Sequence, residues 1–446
     1  MKKSYDLTQG SVLKNLLRFM LPFLFVNIMQ AFYGAVDLFV VGRFSGTSAI
    51  SAVNIGSQII QIITGFVIGI SMGITVALAH NIGSRDKAGA VKTVSNGILL
   101  FIIFAVVSTP LMIWESGTLV EVMQTPADAI HEATQYVLIC SFGLPFIIIY
   151  NVIAALLRGI GNSKTPMLFV GAACVVNVVG DFLLTGFLHM GVTGAAVATV
   201  VAQMICSFCG LIYLKYCGLS FPFRKSDLHF HKSSLHKILI VGFPVALQDT
   251  LINISFIVLT VIANERGLIA SSAVGVVEKL IMFMFLIPSA MLSAISAITA
   301  QNLGAHRPER ATATVKYGIW ITAAFGILMC AVSQLYPNAL TSIFSHDPTV
   351  ILSAGAYLKT YSIDCILVAF TFCMNGYLCG MNRSIITLFH NTLSIFLVRI
   401  PAAYFLSRCY PNSLLPMGLA SPLGSVLSII ILTGYFFYLK KKRVNI

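Results

Sequence analysis

The sequence predicts an all-α polytopic membrane protein, with twelve transmembrane helices in two parallel six-helix repeats, an N-lobe and a C-lobe, around a central cavity. Three observations carry this. Of 446 residues, 57% are hydrophobic and only 10% charged, where a soluble chain carries roughly 25% charged residues. Apolar stretches long enough to cross a bilayer as helices recur along the whole chain. The second half then repeats the first at a spacing of about 221 residues.

The predicted spans run near 15–41, 50–79, 91–114, 133–157, 166–187, 191–214, 237–263, 271–300, 311–335, 351–378, 385–407 and 416–439. They must be helices, because lipid-facing backbone has to satisfy its own hydrogen bonds and no barrel-type alternation is present. The first span is too long for a cleaved signal peptide and lacks a small-residue cleavage site after it. It carries Pro22, which removes a backbone donor and bends the helix several turns before Asp37. The second holds Gly65, Gly69 and Gly73, a pattern of close helix packing. Cys206 and Cys209 form the one CxxC, inside an apolar span with no other ligand near, and read as packing.

Net charge is +13, yet the basic residues lie in short clusters between apolar spans. That pattern fits the positive-inside rule and not a nucleic-acid face, so no nucleic-acid partner is expected. Lys14, Arg18, Arg85, Lys87, Lys92, Arg158 and Lys164 fall on one side. Arg224, Lys225, Lys232, Arg307, Arg310, Lys316 and Arg383 join them, as do Lys2, Lys3 and the terminal run Lys440–Arg443. The opposite loops hold Arg43, Arg266 and Arg408. Both termini and a polar linker are therefore expected in the cytoplasm, with the chain in the cell membrane; a monomer is expected.

His80-Asn81-Ile82-Gly83-Ser84-Arg85 after the second span matches Gln301-Asn302-Leu303-Gly304-Ala305-His306 after the eighth. The same shift pairs Gly97 with Gly318 and Gly159 with Gly380, and Pro22 matches Pro244 within one residue. Six spans per half is an even number, so the repeats are parallel, with a substrate path expected between them. The expected division is 1–216, a linker at 217–236, and 237–446. At this shift Asp181 faces Ala402 and Asn177 faces Val398, so the acidic constellation belongs to the first half alone.

Carboxylates inside apolar spans are costly and mark function by default. Asn177 and Asp181 stand four apart on one helix face. Helix rise puts Asp37 roughly 7–8 Å, Asp181 about 9 Å and Thr199 roughly 12 Å from the outer ends of their spans. Two carboxylates, an amide and a hydroxyl at similar depth offer a site for a proton or for Na⁺, which takes oxygen ligands. Tyr33 lies one turn before Asp37 and can bond into the group. Asp249, Glu278, Asp364 and Arg399 are further buried polar residues, read as cavity lining or as snorkelled ends. Glu278 and Lys279 are adjacent and cannot share a helix face, and His390 reads as structural. The abundant Met and Phe would suit a cavity for varied apolar ligands. No HExxH, Walker A, GxSxG or paired CxxC motif occurs, which leaves an enzyme little support.

These segments resemble the multidrug and toxic compound extrusion (MATE) family, in its DinF-like prokaryotic branch. The likeness rests on YGAVDLFVVGRFSGTSAISAV, LLRGIGNSKTPM, NVVGDFLL, GVTGAAVATVVAQ, GFPVALQ and QNLGAHRPERA, and it spans nearly the whole chain. It implies a secondary active multidrug antiporter of the inner membrane. Such a protein exchanges H⁺ or Na⁺, its sole coupling species with no cofactor, for organic and mostly cationic amphipathic substrates by alternating access. It implies an ion site at Asp37, Asn177, Asp181 and Thr199, supported by Tyr33, Tyr136 and Asn151, with the helix-1 bend at Pro22. Another branch uses acids on helices 7 and 10. The matching positions here are Ile252 and Val368, so that site is not carried over, although Asp249 and Asp364 lie about one turn away. A lipid-linked oligosaccharide flippase of the same wider superfamily is the nearest alternative; a membrane-embedded enzyme or receptor is the alternative of another class.

Overall fold

The computed structural model describes residues 6–219 and 221–441, and among these every regular element is helical. The spans are α1 (Val12–Phe44), α2 (Thr47–Gly83), α3 (Lys87–Trp114), α4 (Ala127–Gly159), α5 (Lys164–Asp181, continued as a π-helix over Phe182–Phe187) and α6 (Gly191–Cys217). The second set is α7 (Lys232–Asn264), α8 (Leu268–Met284 and Leu286–Gly304), α9 (Pro308–Leu335), α10 (Pro348–Tyr361 and Asp364–Gly380), α11 (Ser384–Cys409) and α12 (Ala420–Lys441). Among the described residues eleven helices are long and apolar enough to cross a membrane, and α10, bent by 48° at its break, makes twelve when taken as one span. Large apolar side chains such as Phe39, Trp114, Leu168 and Trp320 point outward and stay exposed. In water that surface would be a liability; in lipid it is the solvated face.

The repeat is written into the backbone. Positive φ angles recur at Gly46 and Gly267, at Arg85 and His306, and at Gly161 and Asn382, each pair 221 positions apart. The last two pairs end helices with one hydrogen-bond pattern. Asp86 N donates to Asn81 O and Arg307 N to Asn302 O, while Asn162 N donates to Leu157 O and Arg383 N to Leu378 O. A left-handed residue closing a helix this way satisfies carbonyls the helix leaves open.

The chain forms two compact units. One comprises Leu21–Ala246 with Asp6; the other comprises Leu7–Met20 and the chain from Leu247 on. The units therefore divide inside α1 and α7, next to Pro22 and Pro244, and not at the expected borders of 217 and 236. The segment expected as a free linker packs on the first unit. Phe221 is buried in its core, with Leu219 and Phe223 against it. Ser95 Oγ donates to His229 O at 2.8 Å, and His231 N donates to Asn96 Oδ1 at 3.1 Å. In the second unit the stretch before α1 is fastened in the same manner. Leu7 N donates to Gln301 Oε1, Arg307 to Thr8 O, and Arg310 to Gln9 O and Gly10 O. Composition marked the linker as polar, but its aromatic residues decide where it lies.

Of Gly65, Gly69 and Gly73 in α2, the last two are packing positions. A Cβ at Gly69 would run into Ala246, and one at Gly73 into the Ile238 carbonyl and Gly242 N, whereas Gly65 has open space. Overpacking such a contact costs about 1–3 kcal/mol. Gly73→Val should therefore lower the melting temperature of the purified protein by several degrees, while Gly65→Ala leaves it level or raises it. Equal melting temperatures for the two variants would show that this helix contact is not tight.

Candidate functional site: a paired carboxylate

Three helices of the first unit bring the predicted residues together. Asp37 comes from α1, Asn177 and Asp181 from the last turns of α5, and Thr199 from α6. Asp37 lies within hydrogen-bonding reach of Asp181, Asn177 and Thr199. Asn177 Nδ2 donates to Thr199 Oγ1 at 3.4 Å. Asp181 is fully buried, Asn177 and Asp37 nearly so, and Thr199 is half-buried. Tyr136 of α4 reaches Thr199 with its hydroxyl and, with Tyr33, stands in the electrostatic field of Asp37.

Small residues make this approach possible. A Cβ at Gly180 would sit 2.9 Å from Ala198 Cβ, and one at Gly194 would sit 2.8 Å from Thr185 Oγ1. Thr185 Oγ1 in turn donates to Gly191 O at 3.1 Å, tying the end of α5 to the start of α6. The π-helix begins immediately after Asp181. Such widened turns recur at functional sites because they shift side chains out of α-helical register.

The electrostatics set the chemistry. Asp37 Oδ1, Asn177 Oδ1 and both carboxylate oxygens of Asp181 are buried without a hydrogen-bond donor. Two carboxylates side by side in a low-dielectric setting repel strongly unless positive charge lies between them. A shared proton does this. So does Na⁺, for which two carboxylates, an amide oxygen and a hydroxyl form a suitable oxygen set. Among the described residues no three His, Cys, Asp or Glu side chains gather that could hold a metal ion.

Not every predicted residue joins this group. Asn151 is buried on α4 and spends its amide on Ile147 O, one turn back in its own helix. Pro22 lies inside a continuous α1. Asp249 is half-buried on α7, and Lys279 is exposed. His390 Nε2 and Asn375 Oδ1 share a buried hydrogen bond of 2.7 Å, in keeping with a structural role. Glu278, Asp364 and Arg399 belong to a separate cluster within the second unit, each held by a hydroxyl and with no direct ion pair among them. Its remaining members, Phe256, Thr260, Tyr361 and Ser421, were not anticipated. Polar residues four apart, Tyr357 with Tyr361 and Ser421 with Ser425, were the available signal.

Comparison with known proteins identifies the family. The MatE family model matches residues 22–183 and again 244–405, once per repeat. The chain is 25% identical to the probable multidrug resistance protein YoeA of Bacillus subtilis, over 98% of this chain and 96% of that protein. It is 27% identical to the probable multidrug resistance protein NorM of Thermotoga maritima, over 90% and 87%. A solved outward-facing multidrug resistance MATE family transporter of the MOP superfamily superposes with a TM-score of 0.92, at 21% identity and 99% coverage of both chains. A paired-carboxylate site inside a duplicated helical membrane fold, and a family model that matches both halves, lead to one conclusion: this chain belongs to the MatE family of multidrug efflux transporters.

Proposed function

We propose that this transporter is an antiporter that exchanges H⁺ or Na⁺ for organic cations by alternating access, with Asp37 and Asp181 as the coupling pair. The observation that carries this reading is the buried carboxylate pair, three of whose four oxygens lack a donor. With a proton or Na⁺ bound, the site is neutral enough to stay buried, and α1 can bend at Pro22. Without it, the carboxylates carry negative charge, and a cationic substrate becomes the favoured counter-ion. Each state admits one cation and excludes the other, which is the requirement for exchange. A membrane potential adds about 2.3 kcal/mol per charge per 100 mV to inward ion movement. The placement is the cell membrane, with both termini cytoplasmic, as the distribution of Lys and Arg supports.

Asp37→Asn and Asp181→Asn imitate the neutral state permanently. In vesicles loaded with a cationic dye, an imposed pH or Na⁺ gradient should accelerate wild-type efflux. Coupling energies between linked sites usually span about 5–150-fold, and each variant should lose a factor in that range. Gradient-driven efflux at the wild-type rate in both variants would refute the coupling role. The gradient to which wild type responds names the ion.

A site whose fixed charge is negative should also discriminate by substrate charge. For two dyes of equal size, the cationic one should be exported and the anionic one retained. Equal export of both would contradict the proposed substrate class.

A further inference from the structure

The second unit buries a charged cluster that the coupling pair does not use. Arg399 closes the π-helical part of α11, Ser394–Arg399, and is 8% exposed. Its Nη2 donates to the Tyr361 hydroxyl at 3.3 Å, and its Cζ lies 4.5 Å from the centre of the Phe256 ring. No direct ion pair joins it to Glu278 of α8 or Asp364 of α10, but both stand close: Glu278 bonds Thr260, one turn from Phe256 on α7, and Asp364 lies three residues from Tyr361 on α10. Asp364, 2% exposed, accepts from Ser421 Oγ at 2.8 Å and lies within reach of Ser425. Glu278 Oε1 accepts from Thr260 Oγ1 at 3.1 Å. Tyr357 and Cys365 are the other titratable groups close by.

Hydroxyl donors solvate a carboxylate but do not cancel its charge, and a buried uncompensated charge costs several kcal/mol. The first unit meets this problem with carboxylates alone. At the repeat spacing of about 221 residues, Asp181 corresponds to Ala402, while Arg399 corresponds to Val178. One unit therefore has an acid where the other has none, and the other has a base where the first has an apolar residue. A guanidinium suits the task because it stays protonated, is weakly hydrated and stacks on aromatic faces.

We propose that Arg399 is a tethered counter-ion: it supplies to Glu278 and Asp364 the positive charge that an exchangeable cation supplies to Asp37 and Asp181. The second unit is thereby compensated in every state and takes no coupling ion, which leaves a single coupling site in the chain. This meaning for coupling rests on the antiport reading above, but the electrostatic role of Arg399 can be tested without it.

The experiment uses the full chain in detergent, with Asp37→Asn and Asp181→Asn already introduced so that the first site cannot respond. Melting temperature is read in choline chloride and in NaCl, at about pH 8 and about pH 6. Adding Arg399→Gln should lower it by roughly 5–10 °C in choline at the higher pH, and Na⁺ or acid should recover most of the loss. Arg399→Lys should stay close to the parent. Arg399→Gln with Asp364→Asn should regain most of the stability without any added cation, since charge and counter-charge leave together. A loss indifferent to Na⁺ and pH, or no loss, would overturn the proposal. So would a double variant as unstable as Arg399→Gln alone, because Arg399 would then act through packing on Phe256. If Arg399→Gln yields no folded protein, the double variant decides on the same terms.

Discussion

The site is governed by repulsion between two carboxylates, Asp37 and Asp181, held together where water does not screen them. Nothing in their surroundings donates to three of their oxygens, and a buried carboxylate pair cannot keep both charges unopposed. On the proposed reading, the protein resolves this with a cation that it can exchange. An energetic liability becomes a coupling device once the compensating charge is free to leave and another can replace it.

Much of the first unit serves to keep that pair close. Gly180 against Ala198 and Gly194 against Thr185 let α5 and α6 approach until Asn177 meets Thr199. The π-helix after Asp181 ends the α-helical register at the acid itself. Around this, duplication supplies the frame. Left-handed residues at corresponding positions close corresponding helices in both halves, and the segments of chain before α1 and α7 are both fastened by polar side chains. The two units share a frame and differ in charge: an acid pair in one, and acids with a resident arginine in the other.

The helical spans and their duplication were legible in the sequence because both follow from hydropathy and spacing, which need no tertiary information. The acid pair was legible for a related reason. Asp37 and Asp181 stand at similar depths in apolar spans, and few arrangements tolerate that. Asn151 was carried over from the resemblance alone, and its buried amide bonds Ile147 of its own helix. The division between units was missed because α1 and α7 each pass from one to the other near a proline, and continuous hydropathy hides such a crossing. Phe221 and Phe223 anchor a segment whose overall composition is polar. The cluster around Arg399 is drawn from four other helices, α7, α8, α10 and α12, and no periodicity within a single helix could have assembled it.

The central claim is that substrate and ion compete for one charge-compensating position at Asp37 and Asp181. The most direct measurement is ion release on substrate binding. Purified protein in weakly buffered detergent solution is titrated with a cationic dye while pH and free Na⁺ are recorded. The account predicts that binding releases H⁺ or Na⁺ from wild type, and that Asp37→Asn with Asp181→Asn releases neither. Dye binding to wild type with no release of either ion would contradict it.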